Sequence, residues 1–266
     1  MLVIGTSGYS YRDWKGVFYP PGVGQSGMLA YYSGHFPAVE INATYYGIPK
    51  PAVFERMVES TPEGFEFVVK ANKATTHDGA DSDVAAAFLG SVAPLRESGR
   101  LSGVLAQFPW GFRNDEKNRG YLSSLAGRYR GMPLFAEFRH NSWNRPEVFR
   151  FLDDIGAHFV SVDEPQMGDM MPPVARATGG IGYIRFHGRN EKDWWGASGD
   201  RYNYFYDESE LDPWIERVEE LEKTVWKLYA FFNNCHQGYA VRNALMFRDL
   251  VEKRRQANLD IPAENE

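Results

Sequence analysis

Short apolar runs recur along this chain, each closing on a polar cluster. They predict eight strands: Val3–Thr6, Val39–Asn42, Phe65–Ala71, Gly103–Phe108, Leu134–Arg139, His158–Asp163, Gly182–His187 and Lys227–Asn233. Between them, apolar residues return at helical spacing. The predicted helices are Met28–Phe36, Pro51–Glu59, Val84–Leu95, Tyr121–Tyr129, Pro146–Ile155, Leu211–Thr224 and Tyr239–Arg255. Asn144 ahead of Pro146, with Glu147 three residues on, has the form of a capping box. The stretch Glu164–Gly180 lacks a helical period and carries Pro165, Pro172, Pro173, Gly179 and Gly180, so it reads as an irregular connection after the sixth strand.

Strand alternating with helix means a parallel sheet, because each crossover helix returns the chain to start the next strand in the same direction. Eight such units in 266 residues fit a closed α/β barrel, a TIM-barrel-like (β/α)8 fold, better than an open doubly wound sheet. The expectation is one barrel domain over residues 1–256 and a flexible tail over 257–266. Nucleotide-cradling loops are missing. Gly5-Thr6-Ser7-Gly8 leads into aromatics rather than a helix, and there is no P-loop, so no organic cofactor is expected.

Barrel chemistry sits at the C-terminal ends of the strands. Here those ends carry Ser7, Glu40 and Asn42, Lys70, Gln107, Glu137 and Arg139, Asp163 and Glu164, Arg185 and His187, and Asn233. Residues two apart in a strand share a face. Glu40 with Asn42, Glu137 with Arg139, and Arg185 with His187 should therefore point together into the barrel mouth, while Val39, Ile41, Phe138 and Phe186 face the helices. Lys70, Glu137 and Arg185 are expected in one layer, and Glu40, Gln107, Asp163 and Asn233 in another.

Charge buried so densely suggests a site rather than filler. The candidate acid, base or nucleophile residues are Glu40, Glu137, His187, Lys70 and Asp163. The candidate ligand-binding residues are Ser7, Tyr9, Trp14, Asn42, Tyr45, Gln107, Arg139, Trp143, Arg185, Arg189 and Asn233. The arginines suit phosphate or carboxylate. Lys70 would form a Schiff base if desolvated, but with three acids available it is expected to be an ion-pair partner. Of the chain, 15% is aromatic, and Trp14, Trp110, Trp143, Trp194 and Trp195 all follow strand ends. A rim of rings over a polar floor suits a ligand with flat faces and polar edges, a sugar or a base.

The remaining features mostly exclude. A net charge of −6 disfavours nucleic acid as the main partner. One cysteine, Cys235, allows no intrachain disulfide. No run of 18 apolar residues and no signal-like N-terminus are present, so a cytoplasmic protein without a membrane span is expected. His77, His140, His187 and His236 follow strands, but no two form a ligand pair, and arginines near Glu137 and His187 would repel a cation. A divalent metal is therefore not expected.

The strand-end motifs resemble one known family. They are Gly5-Thr6-Ser7-Gly8-Tyr9 with Trp14-Lys15-Gly16, Glu40-Ile41-Asn42 with Tyr45-Tyr46, Lys70-Ala71 leading to Thr76-His77, and Gln107-Phe108-Pro109. Glu137-Phe138-Arg139-His140 with Ser142-Trp143, Asp163-Glu164-Pro165, Tyr183 to Arg189, and Phe232-Asn233-Asn234 with Gly238-Tyr239-Ala240 complete the set. In this order they resemble the YecE-like family, domain of unknown function 72. The resemblance implies a TIM-barrel-like fold and no particular reaction. The residues themselves point to a small polar or anionic ligand, sugar- or nucleotide-like, handled by general acid/base chemistry. A nuclease-like nucleic-acid binder and a non-catalytic ligand-binding protein are the alternatives.

Overall fold

The structure, a computed structural model, describes residues 1–79, 82–196 and 200–259. Its strands are β1 Leu2–Ser7, β2 Ala38–Ile41, β3 Glu66–Lys70, β4 Leu101–Gln107, β5 Leu134–Glu137, β6 Ala157–Asp163, β7 Ala177–Thr178, β8 Ile181–Phe186 and β9 Lys227–Phe232. Neighbours pair in parallel from β1 to β6, β9 joins β1 to β8, and β6 pairs with β8. These eight parallel strands close a TIM-barrel-like ring. The two-residue β7 lies outside it, antiparallel to the start of β8. The connection after β6, expected to be wholly irregular, thus contributes one short pairing.

The helices are α1 Met28–Ser33, α2 Pro51–Glu59, α3 Lys73–Thr76, α4 Ser82–Ser91, α5 Ala93–Glu97, α6 Glu116–Arg128, α7 Pro146–Ile155, α8 Glu208–Glu222 and α9 Tyr239–Leu259. The expected continuous helix Val84–Leu95 is broken at Val92, because Pro94 opens α5 and cannot donate into a continuing helix. α6 begins earlier than its apolar period suggested, where the Asp115 side chain accepts the Asn118 N–H at 2.8 Å. The capping box expected at Asn144 does not form. The N-cap of α7 is Arg145, without a side-chain bond, and Pro146 starts the helix. A full capping box closes instead at Asp207 and Glu210, ahead of α8. α9 continues through Leu259, so residues 257–259 of the expected tail are helical, and 260–266 lie outside the described residues.

Register fixes which side chains fill the barrel. Paired residues on adjacent strands share a face. Ser7 pairs with Glu40, Glu40 with Val68, Gln107 with Glu137, and Val162 with Arg185. Around the middle, Val68, Leu105, Phe135, Val160, Tyr183 and Phe231 form a dry layer, all buried. Gly5 belongs to this face for a steric reason. A Cβ there would lie 2.3 Å from the Ala38 carbonyl oxygen and 2.9 Å from the Phe231 ring. At the N-terminal end, Glu66 collects Lys227 Nζ at 2.6 Å and the hydroxyls of Ser102 and Tyr229, which plugs the barrel floor. Among the described residues no helix is long and apolar enough to cross a membrane.

Candidate functional site

Above the dry layer, one guanidinium organises the mouth. Arg185 is fully buried and donates to Glu137 Oε2 and Glu40 Oε1, each at 2.6 Å, to Gln107 Oε1 at 3.3 Å and to Ser7 Oγ at 3.4 Å. Even- and odd-numbered strands thus interlock through one residue, and the expected division into two separate layers does not describe the bonding. Glu40 completes its second oxygen with the Tyr183 hydroxyl at 2.7 Å. Glu137 also accepts from Arg139 at 2.8 Å. Burial alone would raise the Glu137 pKa, but Arg185 and Arg139 outweigh it and hold the carboxyl well below the usual range.

His187 is equally fixed. Its Nδ1 faces the Asn233 amide nitrogen at 3.0 Å and its Nε2 faces Glu137 Oε1 at 3.1 Å. The amide can only donate, so Nδ1 accepts and Nε2 carries the proton. Burial, reinforced by the charge of Arg139, pushes the imidazole well below its ordinary pKa and keeps it neutral. Ser7, Glu40, Lys70, Gln107, Glu137, Arg139, Arg185, His187 and Asn233 are therefore gathered in one bonded constellation around the mouth.

Lys70 differs from expectation in its partner. Its Nζ donates to the neutral Gln107 Oε1 at 2.8 Å and lies 4.6 Å from the Tyr45 ring centre. Among the described residues no carboxylate stands within salt-bridge distance of it, so it is not the ion-pair partner the sequence suggested. Burial first, then the nearby Arg185 charge, pushes its pKa down to about 7. Tyr45 shares this corner, its hydroxyl 3.3 Å from His77 Nε2. Asn42 directly follows β2, its carbonyl accepting the Tyr45 N–H at 3.1 Å, and its Oδ1 is buried without a partner among the described residues.

Asp163 was expected in the mouth and faces the other way. It pairs in register with the outward Phe186, and its carboxylate accepts from Trp214 Nε1, from the Tyr206 hydroxyl, and from Arg189 through two bonds of 2.7 and 2.8 Å. It pins α8 to the barrel and draws Arg189 out of the mouth. The residue that does enter is Glu164, on the face shared by Val162. It pairs with Arg139, while its Oε1 is buried without a partner among the described residues. Burial, with Glu137 nearby, lifts its pKa to about 7 against the pull of Arg139.

Three expected ligand contacts are also displaced. Trp14 is fully buried and donates to the Cys235 carbonyl at 2.8 Å. Trp143 is fully buried, stacked 4.2 Å from Phe138, and donates to the Phe112 carbonyl at 2.7 Å. Both hold loops onto the barrel, since an indole keeps its N–H bonded when buried. Tyr9 lines a groove on the barrel flank with Leu29 and Met57.

The open part of the mouth is a cavity of about 180 Å³ walled by Trp110, Trp194, Trp195 and Tyr202, with Arg139, Arg201, Gln107 and His77. Arg139 lies 5.4 Å from the Trp194 ring. Trp195 is 64% exposed at the rim. Glu164, Arg201 and His77 were not among the sequence candidates. Glu164 and His77 stand at strand ends in the sequence, without an expected catalytic or ligand-binding role, and Arg201 carries no signal. Among the described residues no group of three His, Cys, Asp or Glu side chains comes together to hold a metal ion.

Proteins of two bacteria and one solved structure are similar to this chain. It is 33% identical to the UPF0759 protein YunF of Bacillus subtilis, covering 95% of each chain. It is 31% identical to the UPF0759 protein YecE of Escherichia coli, covering 48% of this chain and 46% of that one. A crystal structure of a DUF72 family protein from Thermotoga maritima matches with a TM-score of 0.87 at 42% identity, over 95% of this chain and 99% of that one. The family model described as "Protein of unknown function DUF72" matches residues 3–266, and the chain belongs to that family.

Proposed function

We propose that the mouth binds a small polar ligand bearing a phosphate or carboxylate and acts on it by proton transfer, without an organic cofactor. The observation that carries this reading is the distribution of charge. Arg185 is satisfied by Glu40 and Glu137, and Arg139 by Glu137 and Glu164. Among the described residues, Arg201 lines the opening and Lys70 reaches it through Gln107, each with only a neutral acceptor, the Gly196 carbonyl and the Gln107 amide. Two cations with no carboxylate, beside indole walls, suit an anion attached to a flat polar body. The cavity volume is below the about 300–1,000 Å³ of pockets for drug-sized ligands, which suits a small metabolite.

Proton affinity separates the candidates. Glu137 stays ionised and His187 neutral around neutral pH. Lys70 and Glu164, each moved to about 7, are the groups matched to proton exchange there. A thermal melt with inorganic phosphate, sulfate and small sugar phosphates tests the reading. A ligand at 100 times its Kd adds about 2.7 kcal/mol, and for a domain of this size about 2–4 °C per kcal/mol gives a rise of about 5–11 °C. The rise should saturate and be lost in Arg201→Met. No saturable rise with any of these anions, or the same rise in the variant, refutes it.

A further inference from the structure

Lys70 has a chemistry that anion binding does not use. Its potential carboxylate partners are all engaged elsewhere: Glu40 by Arg185 and Tyr183, Glu137 by Arg185, Arg139 and His187, and Asp163 on the far side of β6. The Gln107 Oε1 that receives Nζ at 2.8 Å also receives Arg185 at 3.3 Å, so two cations share one neutral acceptor. Losing the Lys70 proton relieves that repulsion. Arg201 shares no acceptor of this kind among the described residues; it donates to the Gly196 carbonyl at 2.9 Å. The Lys70 side chain is partly exposed at the end of β3, and its acceptor Gln107 lines the mouth cavity. An ammonium needed only as a fixed charge gains nothing from a site that favours the free amine. A nucleophile does.

We propose that Lys70 is an amine nucleophile that forms an imine with the aldehyde or ketone carbonyl of an anionic ligand, a proposal that rests on the anion-binding reading of the mouth. The lone pair of Nζ attacks the carbonyl carbon, and the π pair moves to oxygen, which takes a proton from water. Nitrogen loses a proton to solvent. The resulting carbinolamine expels its protonated hydroxyl as water while C=N forms. The sum is amine, carbonyl and one proton from solvent giving protonated imine and water, with no oxidant or reductant. The protonated imine withdraws electrons from the adjacent carbon. It thereby eases loss of a proton or cleavage of a carbon–carbon bond there, with the proton passing to solvent. The ligand class is a phosphorylated or carboxylated carbonyl compound.

The intact protein is incubated separately with dihydroxyacetone phosphate, pyruvate and uncharged hydroxyacetone, each with cyanoborohydride. Reduction converts an imine into a stable secondary amine, and adducts are located by peptide mass mapping. The expected result is labelling of Lys70 at least tenfold faster than of the exposed Lys15, Lys50 and Lys223, rising with pH about a midpoint near 7. Lys70→Arg keeps a cation beside Gln107 and should abolish the adduct while the melting curve stays that of a folded protein. Labelling spread evenly over the lysines, labelling of Lys70 only above pH 9, or none with any probe overturns the proposal. If phosphate still raises the melting temperature while Lys70 stays unlabelled, the imine fails and anion binding stands. If hydroxyacetone labels Lys70 but no anion binds, the nucleophile stands and the anion reading fails.

Discussion

Replacing Arg185 by Met tests the organisation of the mouth most directly. The wild-type guanidinium is completely buried and holds two buried carboxylates at 2.6 Å each. Methionine fills much of the same volume and supplies no charge. Glu137 then keeps Arg139 at 2.8 Å, but Glu40 keeps only the Tyr183 hydroxyl. Removing one partner of a buried ion pair costs about 3–5 kcal/mol, which at about 2–4 °C per kcal/mol lowers Tm by about 6–20 °C. The pH dependence gives the mechanism. The Glu137 pKa is lowered in the folded state, so its contribution is present above the ordinary carboxylate range and is lost as pH falls. In the variant the orphaned carboxylates escape their penalty by binding protons, so the gap between the two proteins should narrow from pH 7.5 to pH 5. Melting followed by circular dichroism at both pH values measures it, and adding Glu40→Gln to the variant should recover at least about 1 kcal/mol. A loss below about 1 kcal/mol, or a gap that does not change with pH, would refute the reasoning.

Three further outcomes follow from other groups. Asp163→Asn should lower unfolding stability by about 2–4 kcal/mol, on charged hydrogen bonds of about 1.5–3 kcal/mol each, while leaving any anion-induced rise in Tm unchanged. Denaturant melts with and without phosphate check both halves. Nitrogen NMR of His187 should show the neutral tautomer with the proton on Nε2 at pH 7 and a titration midpoint below that of an ordinary imidazole, and a midpoint at or above the ordinary value would contradict it. Cys235, whose thiol burial pushes up to about 12, should resist iodoacetamide at pH 8 in the native protein and react fully in denaturant.

The barrel was legible because its strands end on polar clusters at near-regular intervals, a pattern that only repeated strand–helix units produce. Within strands, alternation placed Glu137, Arg139, Arg185 and His187 on one face because Phe138 and Phe186 mark the other. It misled at β6, where Ser161 and Asp163 form the polar phase and Val160 and Val162 the apolar one, yet the valines are the residues that face inward. The rule that polar residues face the mouth therefore picked Asp163, and only the register with β8 puts Glu164, two residues after Val162, on the inner face. Loop aromatics failed differently. Position after a strand end was readable for Trp14 and Trp143. Whether a ring turns to solvent or folds beneath its own loop depends on distant partners, the Cys235 and Phe112 carbonyls. The partner of Lys70 depends on competition: Arg185 takes two carboxylates at once, and that outcome is set by three-dimensional reach.

The ring is sealed where β1 lies beside β9, joining segments more than two hundred residues apart. During synthesis, β1 therefore waits with one edge unpaired until nearly the whole chain has emerged, an aggregation-prone interval that closing strands end. The charges wait as well. Glu40 and Glu137 are made long before Arg185, which arrives on β8, the strand that also completes β6 and receives β9. Until then both carboxylates are better left in water than buried, which opposes premature collapse of the first six strands around an empty centre. The arrival of one arginine makes burial of the centre favourable at the moment the ring becomes able to close, so the step that completes the fold also completes the site.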